Sequence, residues 1–148
     1  MTIISGGQTG VDRAALDVAL ERGLPCGGWC PRGRKAEDGP LPSRYPLRET
    51  PTADYAQRTR WNVRDADATL VLHFGRVDRG TALTCRLARQ LGKPLLSVDL
   101  GRGQPAAVAA WLGAHAVRVL NVAGPRESRC PGVHSAARAF LSRLLAQA

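Results

Sequence analysis

Two hydrophobic rhythms alternate along the chain. Thr2 to Ser5 is short and β-branched and stops at Gly6-Gly7-Gln8-Thr9-Gly10, which predicts a strand running into a glycine-rich turn. From Val11 the spacing is helical, with Val11, Ala15, Val18 and Ala19 on one face and Arg13, Asp17 and Glu21 on another. Thr9 and Asp12 have the spacing of a capping box, and Gly23 with Pro25 ends the helix. Pro25 to Cys30 reads as a second strand, and the polar, turn-rich stretch Pro31 to Pro40 as a loop. Tyr45 to Glu49 predicts a short irregular strand, and Thr52 is placed to cap a helix to about Ala66 with Tyr55, Thr59 and Val63 in line.

Ala68 to Phe74 is the next strand, followed after Gly75 by a turn through Gly80 and a helix with Leu83, Leu87 and Leu91 in register. Leu95 to Leu100 is a strand, Pro105 to Gly113 an Ala-rich helix and Val117 to Val122 a strand. Val133, Ala137, Phe140, Leu141, Leu144 and Leu145 give the last helix its apolar face. Five main strands alternating with five helices, without repeats or linkers, imply an α/β Rossmann-like three-layer sandwich with a mostly parallel five-stranded sheet. The 148 residues fit a single ligand-binding domain, 1–148, able to bury a core without staples.

The 44% hydrophobic content argues against disorder. The longest weakly polar stretch, Pro105 to Val117, is too short to span a bilayer, so no membrane association is expected. No secretory pattern is visible at the N-terminus, which makes the cytoplasm the expected location. Lys and Arg number 21 against 12 Asp and Glu, a formal charge of +9, which predicts an anionic ligand or partner. Nearly all of these bases are arginine and they are spread along the chain. A pocket for a small polyanion accounts for them as well as nucleic acid does. Cys26, Cys30, Cys85 and Cys130 form no CxxC pair and no zinc-ribbon spacing, so no protein-ligated metal is expected, although a redox or metal role for them stays open.

In a parallel α/β sheet, ligands bind outside the carboxyl ends of the strands. Every strand-to-helix turn is therefore a candidate, and three glycine-bearing ones stand out: Ser5 to Asp12, Gly75 to Thr84 and Gly124 to Gly132. Each opens a helix whose free N–H groups favour an anion. The first is neither a strict GxGxxG fingerprint nor a P-loop, since it lacks the lysine. In the second, Thr81 is able to cap the helix or donate to a phosphate. The third combines Arg126, Glu127 and Ser128, an odd composition for a mere connector.

The runs Ser5-Gly6-Gly7-Gln8-Thr9-Gly10-Val11-Asp12-Arg13, Gly28-Trp29-Cys30-Pro31-Arg32-Gly33-Arg34, Ala36-Glu37-Asp38-Gly39, Asn62 to Thr69, Gly80-Thr81-Ala82-Leu83-Thr84 and Asn121 to Ser128 resemble the molybdenum cofactor carrier protein family. That family lies in the Rossmann-like nucleotide-binding superfamily that includes the Lonely Guy proteins. The resemblance runs from Ile3 to about Leu145. It implies a Rossmann-like fold, a homo-oligomer (dimer or tetramer), and a pocket for molybdenum cofactor (molybdopterin) as a carried ligand, with molybdoenzyme acceptors as expected partners. Lonely Guy enzymes use a Gly-Gly-x-Gly-Thr-x-x-Glu turn, whereas here Thr84 stands at the glutamate position and Asp78-Arg79 before Gly80. This weakens a nucleotide hydrolase, which stays as the alternative reading, with a nucleotide-sensing or nucleic-acid-binding module behind it.

The candidate ligand-binding residues are Gly6, Gly7, Gln8, Thr9, Gly10, Asp12, Arg32, Arg34, Gly80, Thr81, Thr84, Gly124, Arg126, Glu127 and Ser128, with no catalytic residue assigned. Glu37 and Asp38 are read as orienting arginines or binding ligand NH groups. Trp29 is placed either to stack on a planar ring or to pack. The helix bearing Arg58, Arg60 and Arg64 is read as a solvated or subunit-facing surface.

Overall fold

The β-branched Thr2, Ile3 and Ile4 form β1 (Thr2–Ile4), and the chain turns at once into α1 (Val11–Glu21). These coordinates are a computed structural model and describe residues 1–146. Next come β2 (Cys26–Gly27), β3 (Trp29–Cys30), β4 (Arg48–Glu49), α2 (Tyr55–Asp65) and β5 (Ala68–His73). They are followed by α3 (Arg79–Gln90), β6 (Leu95–Asp99), α4 (Pro105–Ala114), β7 (Val119–Ala123) and α5 (Val133–Ala146). Among the described residues no helix is long and apolar enough to cross a membrane.

The main sheet runs β2-β1-β7-β5-β6 with every pairing parallel, as the alternation of elements implies. The strand expected over Pro25 to Cys30 is split. Cys26–Gly27 pairs with β1, while Trp29–Cys30 pairs with β4 in a separate two-stranded ribbon. Asn62 of α2 explains the departure: its side chain accepts from the Trp29 N–H at 2.8 Å and donates to the Trp29 carbonyl at 2.9 Å, drawing β3 away from the sheet.

The strand order has a simple reading. If the C-terminal β7–α5 unit is counted first, the sheet becomes 3-2-1-4-5, the order of the doubly wound dinucleotide-binding fold without its sixth strand. The last βα unit of this chain therefore occupies the place of the first unit of that fold. The switch point, where connections diverge to opposite sides, falls between β7 and β5.

Side chains alternate across the strands and decide what each face receives. Ala68, Leu70 and Leu72 of β5 and Leu120 and Val122 of β7 join the main core with α1, α4 and α5. Their neighbours Thr69 and Asn121 point to the face covered by α2 and α3, where the apolar cluster is small, formed by Val63, Leu87 and Ala88. This imbalance leaves room on the α2/α3 side of the carboxyl edge.

Several caps differ from those the spacing suggests. The N-cap of α1 is Gly10, without a side-chain bond, so Thr9 and Asp12 do not form a capping box. Asp54 rather than Thr52 caps α2, accepting from the Ala56 N–H at 3.0 Å. Asp78 rather than Thr81 caps α3, accepting from the Thr81 N–H at 3.0 Å. In both helices an Asp in extended conformation immediately before the first turn wins over a hydroxyl, as its charge favours at a positive dipole end.

Candidate ligand-binding site

A cavity of about 760 Å³ opens at the carboxyl edge, on the α2/α3 side of the switch point. The three glycine turns meet there. Gly6, Gln8 and Asp12 come from the first, Asp78, Gly80, Thr81 and Thr84 from the second, and Gly124, Arg126 and Arg129 from the third. Asn121 and Ala123 of β7 form the sheet side.

Close approach of the first and third turns depends on Gly10. Its φ of 82° is left-handed, and a Cβ there would collide with the Pro125 carbonyl and lie 2.9 Å from the Glu127 nitrogen. The Val11 N–H, at the start of α1, donates back to that Pro125 carbonyl at 3.3 Å. A bare Gly6 in turn leaves space for Arg58, whose guanidinium would overlap any Cβ at that position.

Arg58 is the residue the sequence reading misplaced. It is 7% exposed, donates from Nη1 to the Gly6 carbonyl at 2.8 Å, and lies 3.7 Å from the Asp12 carboxylate. It is thus part of the cavity and not a solvated surface. Tyr55, Arg58, Thr59 and Asn62 all line the cavity and follow the i, i+3, i+4, i+7 stripe of one helix face. A polar stripe on a helix that must cover a parallel sheet was the available signal. Sequence reasoning also missed Asn121 and Arg129, since a single polar residue in a strand or turn has no periodicity to mark it.

Asp12 is also 7% exposed, and burial pushes its carboxyl up to about 6. Arg58, the Gln8 backbone N–H, Arg13 and Arg126 oppose that rise without cancelling it. Burial lowers Arg58 in the same way, against the pull of Asp12. The Tyr55 ring lies beside three cations, with Lys35 Nζ 4.5 Å, Arg58 5.0 Å and Arg126 5.3 Å from its centroid.

The other candidate residues lie behind this wall and hold it together. The Thr9 hydroxyl donates to Glu37 and accepts from the Glu127 N–H at 3.1 Å. Ser128 donates to Glu37 from its hydroxyl at 2.5 Å and from its N–H at 3.2 Å. Burial works against it, but these hydroxyl bonds, the Ser128 N–H and Arg126 hold the Glu37 carboxyl below the usual range. Glu37 approaches Arg126 at 3.9 Å, so it orients an arginine of the cavity. The Glu127 carboxylate accepts from the N–H groups of Gly132 at 2.6 Å and His134 at 3.0 Å, at the start of α5.

Gly7 packs on Leu41 and Leu47. Arg34 donates to the carbonyls of Leu41, Pro42, Tyr45 and Leu47 at 2.8–3.2 Å and so organises its own loop. The backbone N–H of Arg32 donates to the Thr52 carbonyl, and its exposed side chain lies outside the cavity wall. Asp38 pairs with Arg13 through two bonds of 2.8 and 3.0 Å. Trp29 packs edge-on to Trp61 at 4.7 Å and donates to Asp65.

Among the described residues no three His, Cys, Asp or Glu side chains converge as a metal site. Burial raises all four thiols, which disfavours thiolate chemistry at them. The cavity instead offers guanidinium, amide and hydroxyl donors at the opening of α3, a donor set suited to oxygen anions.

Fold and cavity together define a class: an α/β domain with a cavity lined by arginine, amide and hydroxyl groups at the switch point of a doubly wound sheet whose first unit is moved to the end. Within that class, the chain belongs to the circularly permutated YpsA SLOG family, whose model matches residues 3–145. The permutation in that description is the one visible in the strand order. A crystal structure of a putative molybdenum carrier protein from Syntrophus aciditrophicus is 46% identical, with a TM-score of 0.93, covering 97% of this chain and 94% of that one. No curated protein matches.

Proposed function

We propose that this chain binds and carries molybdenum cofactor, or a related phosphorylated pterin or nucleotide, in the cavity at the β7/β5 switch point. The carrying observation is the convergence of Arg58, Arg79, Arg126 and Arg129 with the opening of α3 around one cavity of about 760 Å³, within the size range of small-ligand sites. The name given to the relative from Syntrophus aciditrophicus supports a molybdenum-related cargo. A carrier needs binding and release and no general acid or base, which accords with Thr84 at the position of the Lonely Guy glutamate. Molybdenum carried in this way keeps the ligands of its organic cofactor, since the cavity supplies donors to oxygen anions.

Native mass spectrometry of protein purified from a cofactor-making host, with elemental analysis, tests the reading. A pterin-sized adduct with up to one molybdenum per chain is expected. Free protein that takes up no added cofactor overturns it.

One observation favours a nucleotide hydrolase as the second reading: Asp12, a carboxyl raised to about 6 within the cavity wall, is poised for proton transfer near neutrality. The Glu127 carboxylate is instead engaged at the start of α5. Chromatography of a nucleotide panel for released base separates the readings. Turnover abolished in Asp12→Asn supports the hydrolase, and none above background supports the carrier.

A further inference from the structure

Gln8 sits in the first turn, 5% exposed, and contributes to the cavity wall. Its side-chain Oε1 accepts from the backbone N–H of Thr9 at 3.1 Å and of Glu37 at 2.8 Å. Two donors on one oxygen settle which end of the amide is which, because the flipped amide would set its NH₂ group against both. Nε2 is therefore forced to the other side, where it is buried and has no partner among the described residues. Thr81, 2% exposed and in the same cavity wall, repeats the pattern. Its N–H is taken by Asp78, and its buried hydroxyl has no partner among the described residues. Buried donors without acceptors are costly and uncommon, so two of them at one cavity call for an acceptor that arrives with a ligand.

We propose that Gln8 is a specificity-determining residue: its pinned amide NH₂ donates to an oxygen of the ligand, so the cavity selects a phosphoryl, carbonyl or metal-oxo oxygen at this position and rejects an amino group there. The inference rests on the cavity being the ligand site. Gln8 adds what the arginines cannot, a neutral donor of fixed direction. Its position is set by the Glu37 backbone, so the loop that orients Arg126 also aims this amide. Thr81 supplies the second uncharged donor.

Glu at position 8 keeps the oxygen that accepts from Thr9 and Glu37 and replaces the donor with a charged acceptor, so Gln8→Glu separates recognition from folding. Titration calorimetry of parent, Gln8→Glu and Thr81→Val with inorganic phosphate, molybdate and adenosine monophosphate reads the effect and distinguishes phosphoryl from metal-oxo oxygen. The expected loss is about tenfold to a hundredfold in Gln8→Glu and about fivefold or more in Thr81→Val. In the parent, the ¹⁵N side-chain amide resonance of Gln8 shifts on adding the bound probe. That signal decides the matter if Gln8→Glu does not fold. Binding by the parent with an unmoved Gln8 amide, or Gln8→Glu affinity within twofold of the parent, overturns this proposal alone. A parent that binds none of the three probes overturns the cavity reading and this proposal with it.

Discussion

Asp12→Asn should gain stability relative to the parent as pH rises from acid to neutrality. The Asp12 carboxyl rises from an ordinary 3.8 to about 6, chiefly through burial, although Arg58 stands 3.7 Å away. Because the folded value lies above the unfolded one, the folded state holds the extra proton between these limits. Stability attributable to Asp12 is fully present below about 3.8, falls as pH rises towards about 6, and is flat above. A rise of this size corresponds to about 3 kcal/mol, or about 6–12 °C in Tm for a chain of this length. Asn keeps the shape and an acceptor for the Gln8 N–H but does not titrate. Urea unfolding of parent and variant from pH 3.5 to 8 isolates the effect, since Glu37 and Asp38, both lowered, act in the opposite sense in both proteins. The stability advantage of the variant should grow by about 3 kcal/mol across the window. A constant or shrinking advantage would refute the reasoning and show that pairing with Arg58 outweighs desolvation. The same proton links to binding: sulfate, whose charge is constant over this range, should bind more tightly at pH 5 than at pH 8, with proton uptake visible in buffers of different ionisation heat.

Gly10→Ala should destabilise by about 2 kcal/mol or more in urea unfolding, because it combines a left-handed φ of 82° with a clash against Pro125. Arg34→Met removes four carbonyl contacts and should cost about 2–3 kcal/mol, with faster hydrogen exchange over residues 31–47; lysine, lacking the planar fork, should not rescue it. Arg126→Ala should weaken phosphate binding by about 1.5–3 kcal/mol in calorimetry, the worth of a charged hydrogen bond, while unchanged affinity would remove this arginine from the site. Binding to a fluorescent oligonucleotide should be loose and fall steeply between low and moderate salt, as expected when a formal charge of +9 comes from bases spread along the chain.

The sequence by itself determined most of the element types and the edge at which the three glycine turns meet. Strand-like runs such as Thr2 to Ser5 and Ala68 to Phe74, alternating with helical spacing, are local properties that leave a parallel sheet as the only economical way to cover every apolar face. Glycine at the βα turns after β1, β5 and β7 marked the carboxyl edge for the same reason, since parallel strands place those turns together. The tertiary structure alone decided which side chains reach the cavity. Thr9, Glu127 and Ser128 share the turns with Gln8 and Arg126, yet they bond one another and Glu37 behind the wall, because close contact at Gly10 brings two turns into hydrogen-bonding range. Arg34 closes its own loop, a role fixed by carbonyls up to 13 residues away. Arg58 looked like surface charge because its burial depends on a bare Gly6 that is 52 residues distant in sequence and adjacent in space. Periodicity is a property of neighbours along the chain, whereas burial, charge pairing and access to a cavity arise between segments that only the folded sheet brings together.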